Sequence, residues 1–338
     1  MKILFYADAH IRSHGSFLPY NRIAENGLTK ELNNIIKGFT FVADKIKEIN
    51  PIAVFNLGDL YQNTEILDVL TITASAKCLD KVYNTCRKLD IPHYYVLGNH
   101  DVYSENPLIT NVANLRGYFD NIFFENTYFN LPTTDFTIGV VPYRSEVGHV
   151  YSSLCDAQES SDLIVTHLDF ANGLYENNHK STSLLNPNLA RPCISGDLHI
   201  PSSVGSVSYV GSLVQHRFSR YDLDKVGGIL TYDIESGEIE RVPNTYSKHY
   251  VKVLDLDKGL KLDPNRAILQ IYSEFEKDHV EEHFKDFEYD YYKTIKPVVE
   301  TEYVNEVTFN PVLMLQDYIS KNNPNANDIA NKLLEEFA

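Results

Sequence analysis

His93-Tyr94-Tyr95-Val96-Leu97-Gly98-Asn99-His100-Asp101 decides the reading of this chain. Five β-prone or apolar residues make a strand. A glycine then releases the backbone, and three residues able to bind a metal or move a proton follow at once. A turn has use for Gly, Asn and Asp, but none for His. Four other short segments share this build. Asp8-Ala9-His10 follows the apolar run Lys2–Ala7, and Gly58-Asp59 follows Ile52–Leu57. Thr166-His167 closes Leu163–Thr166, and Gly196-Asp197-Leu198-His199 follows Cys193–Ser195. In open α/β sheets ligands bind beyond the carboxyl ends of the strands, so five strand tips can aim at one place.

Outward from these segments, the first half alternates strand and helix signals. Leu28, Leu32, Ile35, Ile36, Phe39, Val42, Ala43, Ile46 and Ile49 recur at helical spacing, and a second helical stretch covers about 64–90. This β-α-β-α-β series predicts a parallel sheet with both faces covered. From about residue 121 strands dominate: Asn121–Glu125, Phe136–Val141, Leu163–Thr166, Cys193–Ser195, Val207–Val210 and Gly228–Ile234. The expected fold is α/β (α+β): a two-sheet αββα sandwich over 1–245. After it, His249–Asp257, Ile268–Phe275 and Tyr289–Val299 read as strands with a helix at 278–287. They form a small α/β domain over 246–309. Asn310-Pro311 opens a helical tail over 310–338.

Of 338 residues, 46 are acidic and 30 basic, a formal charge of −16. That balance argues against coating nucleic acid by bulk charge, although bound metal ions or a partner could supply the positive charge. No run approaches the ~20 apolar residues of a membrane span, and Asp8 interrupts the first apolar run too early for a signal peptide. Cys78, Cys86, Cys155 and Cys193 have no CxxC spacing. They read as buried thiols in a reducing cytoplasm (a host's, if the chain is viral).

The residue types at the strand ends suit a metal pair. Carboxylate and amide oxygens with imidazole nitrogens fit Mn²⁺, Mg²⁺, Fe²⁺ or Zn²⁺. The Asp8–His10 spacing puts both side chains on one side of an extended strand end, and Asp59 has two oxygens with which to bridge two ions. Such a pair suits phosphoryl transfer to water. Gly58, Gly98 and Gly196 permit the sharp turns that free these ligands from the strands.

In this order the motifs resemble the calcineurin-like metallophosphoesterase superfamily: Asp-x-His, Gly-Asp, Gly-Asn-His-Asp/Glu, a single His and Gly-His-x-His. The match spans about 1–240. The resemblance implies that Asp8, His10, Asp59 and His199 hold one metal ion. Asp59, Asn99 and His167 would hold the second. His100 would be the general acid, and Asp101 would orient it. The last motif departs from the pattern, since Asp197 stands where the family has a histidine ligand. A carboxylate there can still coordinate, and as a harder ligand it favours Mn²⁺ or Mg²⁺.

Within the superfamily, Gly139-Val140-Val141-Pro142-Tyr143, Tyr209-Val210-Gly211-Ser212 with Gln215 and Phe218, and Gly227-Gly228-Ile229 resemble the double-strand-break repair nucleases of the bacterial SbcD type. The compact length resembles phage recombination endonuclease subunits of that group. This likeness implies a two-metal DNA phosphodiesterase, a subunit for end processing, recombination or repair. Its 246–309 segment would cap the site and shape DNA access. Its tail would dock an SMC-like coiled-coil ATPase, and an apolar face near the first two helices would suit a homodimer. Arg12, His14, Arg144, His216, Arg217 and Arg220 are the candidate contacts to a phosphate backbone. The alternatives are a small-molecule or cyclic-nucleotide phosphodiesterase of the same superfamily and, opposed by the nearly complete ligand set, an inactive scaffold.

Overall fold

The computed structural model describes residues 1–14, 21–103, 109–175, 179–216, 227–273 and 275–293, all within one compact unit, Met1–Ile295. The expected tail helices of 310–338 lie outside the described residues. In chain order the elements are β1 (Lys2–Tyr6), α1 (Lys30–Ile49), β2 (Ala53–Asn56), α2 (Val69–Leu89), β3 (His93–Val96), β4 (Asn121–Phe123), β5 (Thr127–Asn130), β6 (Thr137–Val141), α3 (Val147–Ser160), β7 (Leu163–Thr166), β8 (Cys193–Ser195), β9 (Ser202–Val204), β10 (Val207–Tyr209), β11 (Gly228–Asp233) and β12 (Ile239–Pro243). They continue with β13 (His249–Val253), α4 (Leu256–Gly259), β14 (Ala267–Ser273), α5 (Lys277–His283) and β15 (Glu288–Lys293).

Two six-stranded sheets run β12-β11-β1-β2-β3-β4 and β5-β6-β7-β8-β10-β9. β1 to β4 are parallel, as are β6, β7, β8 and β10. Period-two alternation builds the layers. Ile3, Phe5, Ala53 and Phe55 face the second sheet and meet Ile138, Val140, Leu163, Val165 and Ile194 in one buried cluster. Leu4, Tyr6, Val54 and Tyr95 face the other way, onto Leu32, Phe39 and Val42 of α1 and Leu79 and Val82 of α2. On the far side, Ile164 and Cys193 pack with Val150, Leu154 and Ala157 of α3. The layers are therefore α-β-β-α, as the sequence predicts.

Local signals set the long helices. Thr29 caps α1 by accepting from Leu32 N, and Asp68 caps α2 by accepting from Thr71 N. Both end on a left-handed residue, Asn50 and Asp90, followed closely by proline.

Five elements were not legible in the sequence: α3, β5, β9, β12 and α4, the last falling at the end of the strand expected over His249–Asp257. α3 buries only Val150, Ser153, Leu154 and Ala157, too sparse a stripe to stand out. β5 alternates between half-buried and exposed residues and β12 is almost wholly exposed, both at sheet edges. The helix expected at 278–287 is shorter, Lys277–His283, and the last expected strand is described as far as Lys293.

β13, β14 and β15 form a separate three-stranded parallel sheet. Its own core joins Val253, Ala267, Leu269 and Ile271 with Val280 and Phe284. Cys78, Cys86 and Cys193 are buried free thiols. No helix among the described residues is long and apolar enough to cross a membrane.

Candidate metal centre

The segments after β1, β2, β3, β7 and β8 converge. β1 and β2 exit side by side: Asp8 N donates to Gly58 O (3.1 Å), His10 N to Asp59 O (3.0 Å) and Ile11 N to Leu60 O (2.8 Å). Three residues on these two exits take the left-handed region, Asp8 (φ 51°), His10 (φ 42°) and Asp59 (φ 54°), and so does Asp197 (φ 81°) after β8. Non-glycine residues rarely go there, and such strain concentrates at functional sites. These turns swing the side chains off the strand ends into a common space.

Gly58 (φ 95°) needs its freedom for a turn, as expected. Gly98 and Gly196 do not: neither has a positive φ. A Cβ on Gly98 would lie 2.2 Å from Asp59 Oδ1, and one on Gly196 2.6 Å from His167 Nδ1. Those two glycines make room for the ligands.

The carboxylate of Asp59 sits between two imidazoles. Its Oδ2 is 3.5 Å from His10 Nε2, and its Oδ1 is 3.5 Å from His167 Nε2. On one side His10 Nε2 faces His199 Nε2 at 3.0 Å. On the other, His167 Nε2 faces Asn99 Oδ1 at 3.1 Å, Asp197 Oδ1 at 3.8 Å and Asp8 Oδ1 at 3.9 Å. Three overlapping sets have donor atoms within 4.8 Å of one another: Asp8, His10 and His199; His10, Asp59 and His100; and Asp8, Asp59 and His167. The structure thus brings all seven expected ligands together. It puts Asp8 within reach of both halves of the site and adds His100 beside His10.

The donor set fits two divalent ions. Asp8, His10, Asp59 and His167 are buried, and Asp8 Oδ2 and His10 Nδ1 have no hydrogen-bond partner. Carboxylates crowded without compensating positive charge are costly. Burial pushes Asp8 up to about 7, against the pull of His167 and His199. Burial opposes a charge on His167, yet Asp59, Asp8 and Asp197 together hold its pKa well above the ordinary value. Burial and neighbouring imidazoles keep that of His10 well below it. His167 Nδ1–H donates to Leu57 O at 2.5 Å, which turns Nε2 towards the site, as outer partners of metal-binding histidines do. Asp197 contributes a backbone bond as well, its N donating to Asp8 Oδ1 (3.2 Å). Burial raises its pKa.

The expected role of Asp101 is corrected. Its buried carboxylate does not touch the His100 ring. It accepts from Gly98 N (2.8 Å), Asp59 N (2.9 Å), Leu60 N (3.3 Å) and Tyr95 Oη (2.8 Å), so it ties the β2 and β3 exits together. His100 is oriented instead by the carbonyl of Gln62, 2.7 Å from its Nδ1. A carbonyl can only accept, so Nδ1 carries the proton and Nε2 is the open nitrogen. The ring stands edge-on to that of His10, centroids 4.8 Å apart.

The expected phosphate contacts divide. His14 is exposed beside the site segment. Arg144 donates to the carbonyls of Tyr143 and Phe124. Arg12 turns inward, towards Gln62, Glu31 and the His216 carbonyl. His216 is buried, its ring against those of His10 and His199. Arg217, Phe218 and Arg220 lie outside the described residues. Glu31 and Tyr95 took no part in the sequence reading of the site, and no local spacing marks them.

A family model described as Metallophos, calcineurin-like phosphoesterase, matches residues 1–292. Among curated proteins none matches. Solved structures with a similar chain course include a dimetal phosphatase from Danio rerio (12% identity, 73% of this chain and 99% of that one, TM-score 0.40). They also include Yfce, a phosphoesterase from E. coli (14%, 73% and 96%, TM-score 0.33). A third is a conserved protein from Streptococcus pneumoniae TIGR4 described as a predicted phosphoesterase (14%, 73% and 91%, TM-score 0.32).

Proposed function

The chain belongs to the calcineurin-like phosphoesterase family, and from that premise we propose that it is a two-metal DNA phosphodiesterase, working in end processing, recombination or repair beside an SMC-like coiled-coil ATPase. Family membership makes it a metal-dependent hydrolase of phosphoesters. The observation that carries the two-metal reading is Asp59, whose two carboxylate oxygens face His10 on one side and His167 on the other. Asp8, His10, Asp59 and His199 would hold one ion. Asp59, Asn99, His167 and Asp197 would hold the second, with Asp8 in reach.

When bound, the ion pair supplies positive charge for the phosphoryl oxygens and makes water more acidic. The chain's own residues do the rest. Asp101 fixes the spacing of the Asp59 and Gly98 turns. Gln62 O holds the Nδ1 proton of His100, leaving Nε2 to donate a proton to the departing oxygen when the ring is charged. Tyr143 is half-buried, and its hydroxyl feels the charges of Asp197 and Asp59.

The DNA reading rests on the Pro142-Tyr143 and Tyr209-Val210-Gly211-Ser212 stretches and on the third sheet after residue 246. The chain's charge of −16 gives a partner the task of holding DNA tightly, and the 310–338 segment is the proposed docking point. The test is hydrolysis of linear and hairpin DNA with Mn²⁺, with and without the ATPase. Metal-dependent cleavage that rises with the ATPase is expected. A second reading is favoured by two arginines, Arg12 and Arg144, being spent on internal hydrogen bonds: a small-molecule phosphodiesterase. Hydrolysis of small phosphodiesters with no DNA cleavage would select it.

A further inference from the structure

Arg12 lies two residues after His10, and its side chain is only 13% exposed. Its guanidinium reaches three separate segments. Nη1 donates to Gln62 Oε1 (3.1 Å), while Nη2 donates to the His216 carbonyl (2.9 Å) and to Glu31 Oε1 (3.3 Å). Each of the first two contacts leads onward to the site. Gln62, anchored by its side chain to Arg12, offers its main-chain carbonyl to His100 Nδ1 (2.7 Å). His216, anchored by its main chain to Arg12, donates from ring Nε2 to the Asp8 carbonyl (2.9 Å). The third contact balances the charge. Glu31, in the first turn of α1, is 2% exposed. Its other oxygen accepts from Tyr250 Oη on β13.

We propose that Arg12 is a positioning residue of the phosphoesterase site, a single guanidinium that sets His100 through Gln62 and Asp8 through His216. The inference rests on the phosphoesterase reading for its kinetic consequence, though not for its structural one. A buried guanidinium paired with a buried carboxylate is held firmly, because separating them strands a charge. Its planar fork serves two loops at fixed angles, which a lysine ammonium cannot do. Arg12 is thereby removed from the candidate substrate contacts. Tyr250 connects the same cluster to the third sheet: its N donates to Gln215 Oε1 (2.9 Å), and its carbonyl accepts from Gln215 Nε2 (2.9 Å).

The experiment compares wild type with Arg12→Lys and with the double variant Arg12→Met/Glu31→Gln, which removes both charges and leaves neither stranded. Two readouts are taken. In metal-free protein, imidazole ¹⁵N shifts report the His100 tautomer. With Mn²⁺ and bis(p-nitrophenyl) phosphate, steady-state rates separate kcat from KM. The expected result is a wild-type His100 protonated on Nδ1 and a mixed tautomer in both variants. kcat should fall by roughly 10- to 100-fold, the usual cost of losing an outer partner, while KM stays within about threefold. A raised KM with unchanged kcat would return Arg12 to the substrate contacts and overturn the proposal. So would a lowered Tm with the tautomer and kcat unchanged, the mark of a purely structural pair. If Arg12→Lys does not fold, the double variant decides. If both fail, Glu31→Gln alone must show the same tautomer mixing, and an unaltered His100 there overturns the proposal. A wild-type protein that hydrolyses nothing would sink the phosphoesterase reading, and the tautomer comparison would still judge Arg12.

Discussion

His10 and His199 point their Nε2 atoms at one another across 3.0 Å. Two neutral imidazoles can share one proton in that arrangement, but two lone pairs cannot face each other without a cation to receive them. The pair comes from strand ends 189 positions apart, and both rings also touch His216. The contact is therefore built by the fold, and it is the entry point for the predictions below.

Removing one partner should weaken the first metal position. His199→Gln should lower Mn²⁺ affinity by more than the roughly 10- to 100-fold that loss of an outer partner costs. Titration calorimetry of the metal-free protein measures it. Unchanged affinity would show that the His10–His199 contact is not a ligand pair.

Metal binding should release protons, and more of them as the medium becomes acidic. Asp8, held up at about 7 by burial, is mostly protonated below that pH and must lose its proton to ligate. His167, whose charged form Asp59, Asp8 and Asp197 favour despite burial, must likewise give up any proton on Nε2 to ligate. So release should grow as pH falls from about 8 to 6, and Mn²⁺ affinity should fall with it. The same shift means that Asp8 destabilises the metal-free fold as pH rises from its unfolded value to about 7. Calorimetry in buffers of different ionisation enthalpy counts the protons, and a pH-independent count would refute the assignment.

His100→Asn should keep its metals and lose turnover. The half-buried ring is held through Nδ1 by Gln62 O and packs edge-on to His10, and an asparagine there leaves the Asp59 and His10 main-chain bonds in place. A fall in kcat of about 10²- to 10⁴-fold is the usual range for a proton donor. Atomic emission on the purified variant checks metal content, and wild-type rates would remove His100 from the chemistry.

Asp197→Ala should reduce occupancy of the second ion while the first stays filled. Asp197→His, which restores the family pattern, should shift preference from Mn²⁺ towards Zn²⁺, since imidazole is the softer donor. Competition between the two metals, read by emission spectroscopy, decides. Full double occupancy in Asp197→Ala would show that this carboxylate does not ligate.

Asp101→Asn should cost stability before it costs chemistry. The carboxylate accepts from three main-chain amides and the Tyr95 hydroxyl, and an amide in its place loses the charge assistance and turns its nitrogen towards the Leu60 N–H. A loss of about 3 kcal/mol is expected for a buried, charge-assisted set of this kind. Urea unfolding of the metal-free protein measures it, and a wild-type midpoint would rule the role out.

Much of this was legible in the sequence because it depends on short-range pattern. Short apolar runs placed β1, β2, β3, β7 and β8, and the Asp, Asn and His residues just past each strand end pointed to a candidate metal site. What stayed hidden depends on contacts between distant segments. α3 was missed because its buried stripe is sparse. Asp101 was assigned to its neighbour His100, whereas its partners include Asp59 and Leu60, more than 40 residues away. Arg12 and Arg144 read as phosphate contacts, since sequence shows a charge but not the direction it faces.

By itself, then, the sequence determined which strands carry the site, and that candidate metal ligands follow them. Only the tertiary structure decided how the polar groups divide. Asp59 sits between His10 and His167, Asp101 braces, Gln62 orients His100, and Arg12 turns inward to Glu31. The physical reason is that a strand's period is written in adjacent residues. A buried hydrogen bond is chosen by whichever donors and acceptors the folded loops bring within about 3 Å, and those come from anywhere in the chain.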